Sequence, residues 1–276
     1  MKKVVGLLAV IITATFLPAV HAEEKPAIAI IDTAVDTTKI KVAYEVCIME
    51  EKRCPNKQVF MEGVGAATLP VDQIYKNGFD HGTKMSLVAS KINPDINIVF
   101  IRIVPMTNTG TMGIYTDNTV NNAMQWVIKN KSKFNIVAVS TSFGSHSFKK
   151  TGVDYCPVNT NLRNTIVSLQ NLGTASFFAA GNNYDKSRID YPSCISEAVA
   201  VGSVNQNGSV ELYSNGGLAL DFNTLGTYDI NGIRIMGTSP ATAALASYWV
   251  KSYKGSYQTT YDYLKSVSKD LAVTIS

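Results

Sequence analysis

The chain has 276 residues, 46% of them hydrophobic and 17% charged, with a formal net charge of +4 at pH 7. This length and apolar content are typical of one sizeable globular domain and exclude a disordered or low-complexity chain. A charge so close to neutral gives no electrostatic basis for binding nucleic acid or a membrane surface, so neither is expected as a partner.

The first 22 residues have the features of a secretory signal peptide. Lys2 and Lys3 form a basic start, residues 4–20 are mostly apolar, and small residues stand where a signal peptidase would cut after Ala22. A transmembrane anchor is the alternative, but threonines and a proline interrupt a run that would need about 20 apolar residues. We therefore predict export to the extracellular space or a periplasm, with residues 23–276 as the mature chain.

Apolar runs alternate with amphipathic segments along the mature chain. The sequence predicts strands at residues 27–32, 97–104, 135–140 and 174–180, and helices at residues 82–91, 119–129, 161–172 and 239–251. Strands that alternate with helices predict right-handed crossovers and an α/β fold, in which helices cover both faces of a mostly parallel central sheet. Ligands of such sheets bind beyond the carboxyl ends of the strands.

Four short motifs contain the groups that acyl transfer by a serine requires. They are Ile30-Ile31-Asp32-Thr33-Ala34, Asp80-His81-Gly82-Thr83, Ala179-Ala180-Gly181-Asn182 and Gly237-Thr238-Ser239-Pro240-Ala241. A serine hydroxyl needs a base during attack, and a histidine with a pKa near about 6.5 can take and return that proton. A buried carboxylate orients the imidazole, and an amide donor stabilises the oxyanion of the intermediate.

Each of these residues also has a structural interpretation. An aspartate after a strand is usually a turn residue, a serine at a helix start is usually an N-cap, and Asn182 could simply form a turn. The order Asp…His…Ser, with an amide between the last two, would require four coincidences, so the combination favours catalysis. Other polar residues are interpreted as structural or as solvated loop residues: Asp36, Asp80, Asp190 and His146.

Over residues 27–250 the chain resembles the subtilisin-like serine proteases (the subtilases, peptidase family S8) as a divergent member. The resemblance implies the three-layer subtilisin-like fold. It implies that Asp32 is the orienting acid, His81 the general base, Ser239 the nucleophile and Asn182 the oxyanion donor. It also implies that Ser142-Phe143-Gly144 lines the primary specificity pocket and pairs with extended substrate, and that Ala179-Ala180-Gly181 binds substrate.

The chain departs from the family pattern near the catalytic motifs. Ala34 stands where the family usually has glycine, Pro240 stands where methionine follows the nucleophile, and Thr224-Leu225-Gly226 replaces Ala-Pro-Gly. Pro240 is acceptable because a residue in the first turn of a helix needs no backbone N–H donor. Ala34 is acceptable if its φ is negative. The substrate preference of well-known relatives should therefore not be transferred to this chain.

The chain contains four cysteines, and an exported chain with an even number suggests disulfides, for which three pairings exist. We favour Cys47 with Cys54 and Cys156 with Cys194, since the first pair closes a short loop. The absence of Cys-x-x-Cys and the scarcity of histidine argue against zinc. The family often binds calcium, but no acidic loop is dense enough to assign a site, so no metal or other cofactor is expected.

The sequence therefore predicts a secreted serine endopeptidase that cleaves protein or peptide substrates through an acyl-enzyme on Ser239. A narrowly specific processing protease, an esterase and a weakly catalytic protein-binding module remain alternatives. Subtilases usually carry a propeptide that assists folding and inhibits the enzyme. Asp32 lies ten residues after the predicted cut, which leaves no room for one, and the tail after Val250 is too short for a further domain. A separate folding or inhibitory chain is therefore a candidate partner.

Overall fold

The computed structural model describes residues 25–145, 156, 159–269 and 272–274. Its strands are β1 (Ala27–Asp32), β2 (Tyr44–Ile48), β3 (Phe60–Glu62), β4 (Asn97–Arg102), β5 (Ile136–Thr141), β6 (Ala175–Ala179), β7 (Val199–Val204), β8 (Phe222–Leu225), β9 (Thr227–Ile230), β10 (Ile233–Met236), β11 (Ser268–Lys269) and β12 (Ala272–Val273). Its helices are α1 (Val71–Lys76), α2 (His81–Ile92), α3 (Asp117–Phe134), α4 (Thr160–Asn171), α5 (Thr238–Lys251) and α6 (Tyr257–Val267).

The described strands form a ten-stranded sheet in the order β11-β12-β8-β7-β6-β5-β1-β4-β2-β3, with β9 and β10 as a separate hairpin. β1 pairs in parallel with β4 on one side and with β5 on the other. Antiparallel pairing is confined to the two edges, where β2 meets β3 and β11 meets β12. β1 lies among the central strands. Asp32, the residue at its carboxyl end, therefore lies near the middle of the row of carboxyl strand ends.

Helices cover both faces of this sheet and divide the core into two layers. Adjacent residues of a strand point to opposite faces, so Phe177 and Phe178 of β6 enter different layers. Phe177 packs with α2 and α5, where its ring meets Trp249 at 5.4 Å between centroids. Phe178 packs on the other face with α3 and α4. The predicted three-layer α/β fold is thus confirmed.

All eight predicted elements are present, with their ends shifted by at most five residues. The largest shift concerns α3, which begins at Asp117 and ends at Phe134. Its start is set by a capping box. The hydroxyl of Thr116 accepts from the backbone N–H of Asn118, and the hydroxyl of Thr119 accepts from the backbone N–H of Thr116. The helix ends where Asn135 adopts a left-handed conformation, with a φ of 49°.

Two disulfides join the cysteines in the pairing favoured by the sequence. Cys47 bonds to Cys54 and Cys156 bonds to Cys194, with Cα atoms 5.8 and 5.6 Å apart. No helix among the described residues is both long and apolar enough to cross a bilayer. The predicted signal peptide and His146 lie outside the described residues.

Candidate active site

The acid and the base predicted from sequence are in contact. Asp32 is fully buried, and its two carboxylate oxygens lie 2.8 and 3.0 Å from Nδ1 of His81. The backbone N–H of Thr33 also donates to Oδ1 of Asp32 at 2.7 Å. The hydroxyl of Thr33 accepts from the N–H of Gly82 at 3.0 Å, which fastens the end of β1 to the start of α2. Asp32 is therefore held as an acceptor facing the imidazole.

His81 is the first residue of α2, and its side chain is 35% exposed. Burial lowers the pKa of His81, but the negative charge of Asp32 and the hydrogen bond to it raise that pKa more, so the net change is upward. Lys84 opposes this increase and Asp80 adds to it. Because Nδ1 faces Asp32, Nε2 is the ring nitrogen left to exchange a proton with a substrate or nucleophile.

The residues around Asp32 and His81 are closely packed. A Cβ on Gly82 would lie 2.4 Å from the Phe100 ring and 2.6 Å from the Ala34 carbonyl oxygen, so only glycine fits next to the histidine. Ala34 itself is fully buried. Positive φ occurs in the described non-glycine residues at four other positions, so Ala34 needs no glycine-like conformation. The exchange of glycine for alanine is thereby accommodated.

Asn182 follows β6 and is fixed by the residue that precedes the candidate nucleophile. Its side-chain oxygen accepts from the backbone N–H of Thr238 at 2.9 Å and from the Thr238 hydroxyl at 3.1 Å. The side-chain NH₂ of Asn182 is therefore the group left to donate. Gly181, with a φ of 104°, makes the turn that presents Asn182, and its own N–H donates to the Thr238 hydroxyl at 3.2 Å.

Ser239 is the second residue of α5 and is half-buried. The unpaired N–H groups and the dipole of a helix start favour a developing negative charge nearby. Pro240 follows in the first turn, where proline's missing N–H costs nothing.

The packing of α2 against α5 places the candidate base and nucleophile at the same level. The hydroxyl of Ser247 in α5 donates to the backbone oxygen of Ala89 in α2 at 2.7 Å. Ser247 lies eight residues after Ser239. Ala89 lies eight residues after His81. Both helices start where the parallel strands end, so this equal spacing puts His81 and Ser239 at the same level of the helix pair.

A pocket of about 200 Å³ opens beside Ser239. Its lining is small or polar and consists of Ser142, Gly144, Ala179, Gly181, Asn182, Asn183, Asp190, Thr238 and Ser239. Four of the six predicted substrate-binding residues therefore lie in this lining. The other two do not: Ala180 is buried in the core, and Phe143 lies in a neighbouring pocket.

That neighbouring pocket measures about 170 Å³ and shares Gly144 with the first. It is more apolar, because the Phe143 ring packs against Tyr115 at a tilt of 47°, with centroids 4.3 Å apart, and Val120 and Tyr191 complete the wall. Two adjacent pockets of different polarity beside a serine can hold two side chains of an extended peptide.

Comparison with known proteins agrees with this geometry. The model of the subtilase family, peptidase S8, matches residues 23–262. The chain belongs to the subtilase family. Subtilases are serine-type peptidases that act on peptides or proteins. Among curated proteins, none matches the sequence significantly.

Several solved structures share the fold of this subtilase. A cold-adapted subtilisin-like serine proteinase is 21% identical, with a TM-score of 0.65 over 91% of this chain and 85% of that one. A protease from Pseudoalteromonas arctica is 17% identical, with a TM-score of 0.68 over 91% and 86%. A lanthipeptide protease is 16% identical, with a TM-score of 0.62 over 90% and 83%. At these identities the likeness establishes the fold alone.

Sequence reasoning missed three residues that contribute to the site of this subtilase. Thr238 was visible only as part of a motif, Tyr115 lies in no motif, and Asp190 was interpreted as structural. For Thr238, its position directly before the serine was a usable signal. Among the described residues, no group of three or more His, Cys, Asp and Glu is arranged to hold a metal ion.

Proposed function

We propose that this subtilase is a secreted serine endopeptidase that hydrolyses peptide bonds through an acyl-enzyme on Ser239. The observation that carries the proposal is the contact of the buried Asp32 carboxylate with Nδ1 of His81, at 2.8 and 3.0 Å. A buried acid that holds one ring nitrogen prepares the other nitrogen to act as a base. The nearby half-buried Ser239 is the nucleophile that this base would serve.

The proposed reaction follows from these positions. Nε2 of His81 takes the hydroxyl proton as Oγ of Ser239 bonds to the substrate carbonyl carbon, and the carbonyl electron pair moves onto its oxygen. The NH₂ of Asn182 donates to that oxyanion. The tetrahedral intermediate collapses with cleavage of the C–N bond, and the leaving amine takes the proton from His81. Water then repeats the sequence on the ester, with His81 again as base, and releases the acid product.

An extended substrate would pair with the main chain of residues 142–144, which follows β5 at the edge of both pockets. Pairing of this kind holds the scissile bond by main-chain hydrogen bonds and leaves the pockets to select side chains. It is the reason for proposing an endopeptidase over an esterase.

Export is proposed on two grounds. Residues 1–22 have the pattern of a signal peptide. The two disulfides need an oxidising compartment to form and persist. The separate folding or inhibitory chain is also a proposal, and recovery of soluble, active protein from residues 23–276 expressed alone would remove the need for it.

Labelling with a fluorophosphonate probe tests the proposed function directly. Purified residues 23–276 should label strongly, Ser239→Ala should not label, and Ser209→Ala, which removes an exposed serine elsewhere, should label like the parent. Circular dichroism would check the fold of each protein. A folded parent that does not label would contradict the enzyme proposal and favour a binding module. Digestion of casein by unlabelled parent protein would then separate a general protease from a narrowly specific one.

A further inference from the structure

The turn that follows β6 contains two residues with a left-handed backbone. Gly181 has a φ of 104° and Tyr184 has a φ of 61°. Glycine adopts such a φ without penalty, whereas a tyrosine there is strained and persists only where the surrounding structure imposes it. Asn182, the candidate oxyanion donor, lies between these two residues. The position of its amide therefore depends on the contacts that hold the turn.

Asn215 supplies several of these contacts from the facing segment. It is fully buried, and its side-chain oxygen accepts from the backbone N–H of Asn183 at 2.9 Å and from that of Asp185 at 3.2 Å. Its own backbone N–H donates to the carbonyl oxygen of Gly181 at 2.9 Å. One residue thus holds the backbone directly before and directly after Asn182.

The strained residue is held by the same segment. The backbone N–H of Tyr184 donates to the carbonyl oxygen of Tyr213 at 3.1 Å. Three consecutive N–H groups, those of residues 183–185, therefore all donate to residues 213–215. Together these bonds explain why the left-handed conformation of Tyr184 persists.

The amide of Asn215 is itself fixed beneath the turn. A Cβ built on Gly181 would lie 2.4 Å from Nδ2 of Asn215, so the two residues are in close contact. Nδ2 donates to Oδ1 of Asp190 at 2.9 Å, and the backbone N–H of Asp190 donates to the carbonyl oxygen of Ala180 at 2.8 Å. Because its oxygen faces two N–H donors and its nitrogen faces a carboxylate, the orientation of this amide is determined by its partners.

We propose that Asn215 is a positioning residue for the oxyanion donor. Thr238 orients the side-chain amide of Asn182, and Asn215 fixes the backbone from which that side chain extends. A donor that is already in place stabilises the oxyanion without a cost of reorientation during the reaction. The proposal rests on the proposed function, since it concerns how that same site stabilises the intermediate.

A double-mutant cycle of Asn215→Ala with Asn182→Ala tests this proposal. Loss of a whole oxyanion donor costs about 10²–10³ in kcat, and loosening of the turn that carries it should cost about tenfold, with KM changed little. In the Asn182→Ala background no amide is left to misplace, so Asn215→Ala should change kcat by less than about twofold.

Thr174→Val is the matched control for the loss of a buried polar group. Thr174 is fully buried just before β6, at the opposite end of the strand from Asn182, and its hydroxyl donates to the carbonyl oxygen of Ile136 at 2.8 Å. This variant should leave kcat unchanged in both backgrounds.

Two outcomes of the cycle would overturn the proposal: an equal fold-loss of kcat in both backgrounds, or a rise in KM at constant kcat. The first would give Asn215 a role independent of Asn182. If circular dichroism shows that Asn215→Ala does not fold, the cycle is repeated with Asn215→Asp. That variant keeps the acceptor oxygen and replaces the donor to Asp190, so kcat should fall only where Asn182 is present. An unchanged kcat in either folded variant would also overturn the proposal.

Hydrogen exchange distinguishes failure of this proposal from failure of the proposed function. A folded parent that does not label with the fluorophosphonate would contradict the proposed function, and no cycle could then be measured. Exchange of the backbone N–H groups of residues 183–185, followed by mass spectrometry, needs no turnover. It should be faster in the folded Asn215 variant than in the parent. Equal exchange rates would show that Asn215 does not hold the turn and would overturn the proposal.

Discussion

Thr238 donates its backbone N–H and its hydroxyl to the side-chain oxygen of Asn182, at 2.9 and 3.1 Å. The same hydroxyl accepts from the N–H of Gly181 at 3.2 Å. The first residue of α5 thus orients the amide that would stabilise the oxyanion, and it ties the turn after β6 to the helix that carries Ser239. Preorientation of this kind is what gives an oxyanion donor its effect on rate.

Replacing Thr238 with valine should therefore lower turnover while substrate binding persists. The variant keeps the shape of the side chain and the backbone donor but loses the hydroxyl that contacts Asn182 and Gly181. Removal of a whole oxyanion donor costs about 10²–10³ in kcat. In this variant the Asn182 amide stays but is held less firmly, so we expect a loss of about tenfold in kcat. Steady-state kinetics on active-site-titrated protein would measure it, with Thr238→Ser as the control that keeps the hydroxyl. A rise in KM at constant kcat would contradict this role.

The pKa of His81 predicts the acid limb of the pH–rate profile. Because Asp32 raises that pKa above its ordinary value, His81 should lose its function as a base at a pH above about 6.5 as the solution is acidified. In Asp32→Asn the limb should move to lower pH, and kcat/KM measured between pH 5 and 9 would show the shift. An unchanged limb would mean that Asp32 does not control the ionisation of His81.

The raised pKa of His81 also predicts how the stability of the fold changes with pH. A raised folded-state pKa means that protonated His81 stabilises the fold, and this contribution is fully present below the pKa of the unfolded chain. It is lost as the pH rises through the folded-state pKa. The stability difference between the parent and His81→Gln, measured by urea unfolding at pH 5 and pH 8.5, should be smaller at pH 8.5. A difference that grows with pH would contradict the upward shift.

Gly82→Ala should damage both stability and activity. The added methyl would lie 2.4 Å from the Phe100 ring, which is buried in the core and cannot move far. Overpacking of this kind typically costs about 1–3 kcal/mol, and here it would also displace the adjacent His81. Urea unfolding and kcat/KM would measure the two effects. Ser90→Ala, on a partly exposed turn of the same helix, is the matched control and should change neither.

The two disulfides should differ in their contribution to stability. Cys156–Cys194 joins residues 38 apart, whereas Cys47–Cys54 joins residues 7 apart. In the chain-entropy model, loops of these lengths correspond to about 4 and about 2 kcal/mol, respectively. Urea unfolding of the two double serine variants would compare them, and a larger loss from the Cys47–Cys54 pair would contradict the model for this chain.

Much of the fold was predictable because the central strands are continuous apolar runs. β1 is buried along its whole length and reads as one such run. β2 was missed because it contains Glu45, a charged residue that is 6% exposed and accepts from the N–H groups of Gly65 and Ala67. That pairing depends on a loop about twenty residues away, and no local pattern indicates it.

The candidate site was likewise predictable from the sequence only in part. Asp32, His81, Asn182 and Ser239 stand in short motifs whose order is informative by itself. The position of Asp190 depends on amides at residues 183 and 215, and its place in the pocket depends on two glycines in other segments. Contacts of this kind exist only after the chain has folded, so the sequence left Asp190 as one aspartate among many.

The position of Ser239 at the start of α5 also sets the order in which the candidate catalytic residues come together. A nascent chain that has not reached residue 238 already contains the candidate acid, base and amide but lacks the candidate nucleophile. Trp249 and Leu245 of that helix belong to the layer formed with Phe177, so the same incomplete chain leaves this sheet face uncovered and prone to aggregate. Docking of this one late helix would thus cover the sheet face and add Ser239 to the other three candidate residues in a single step.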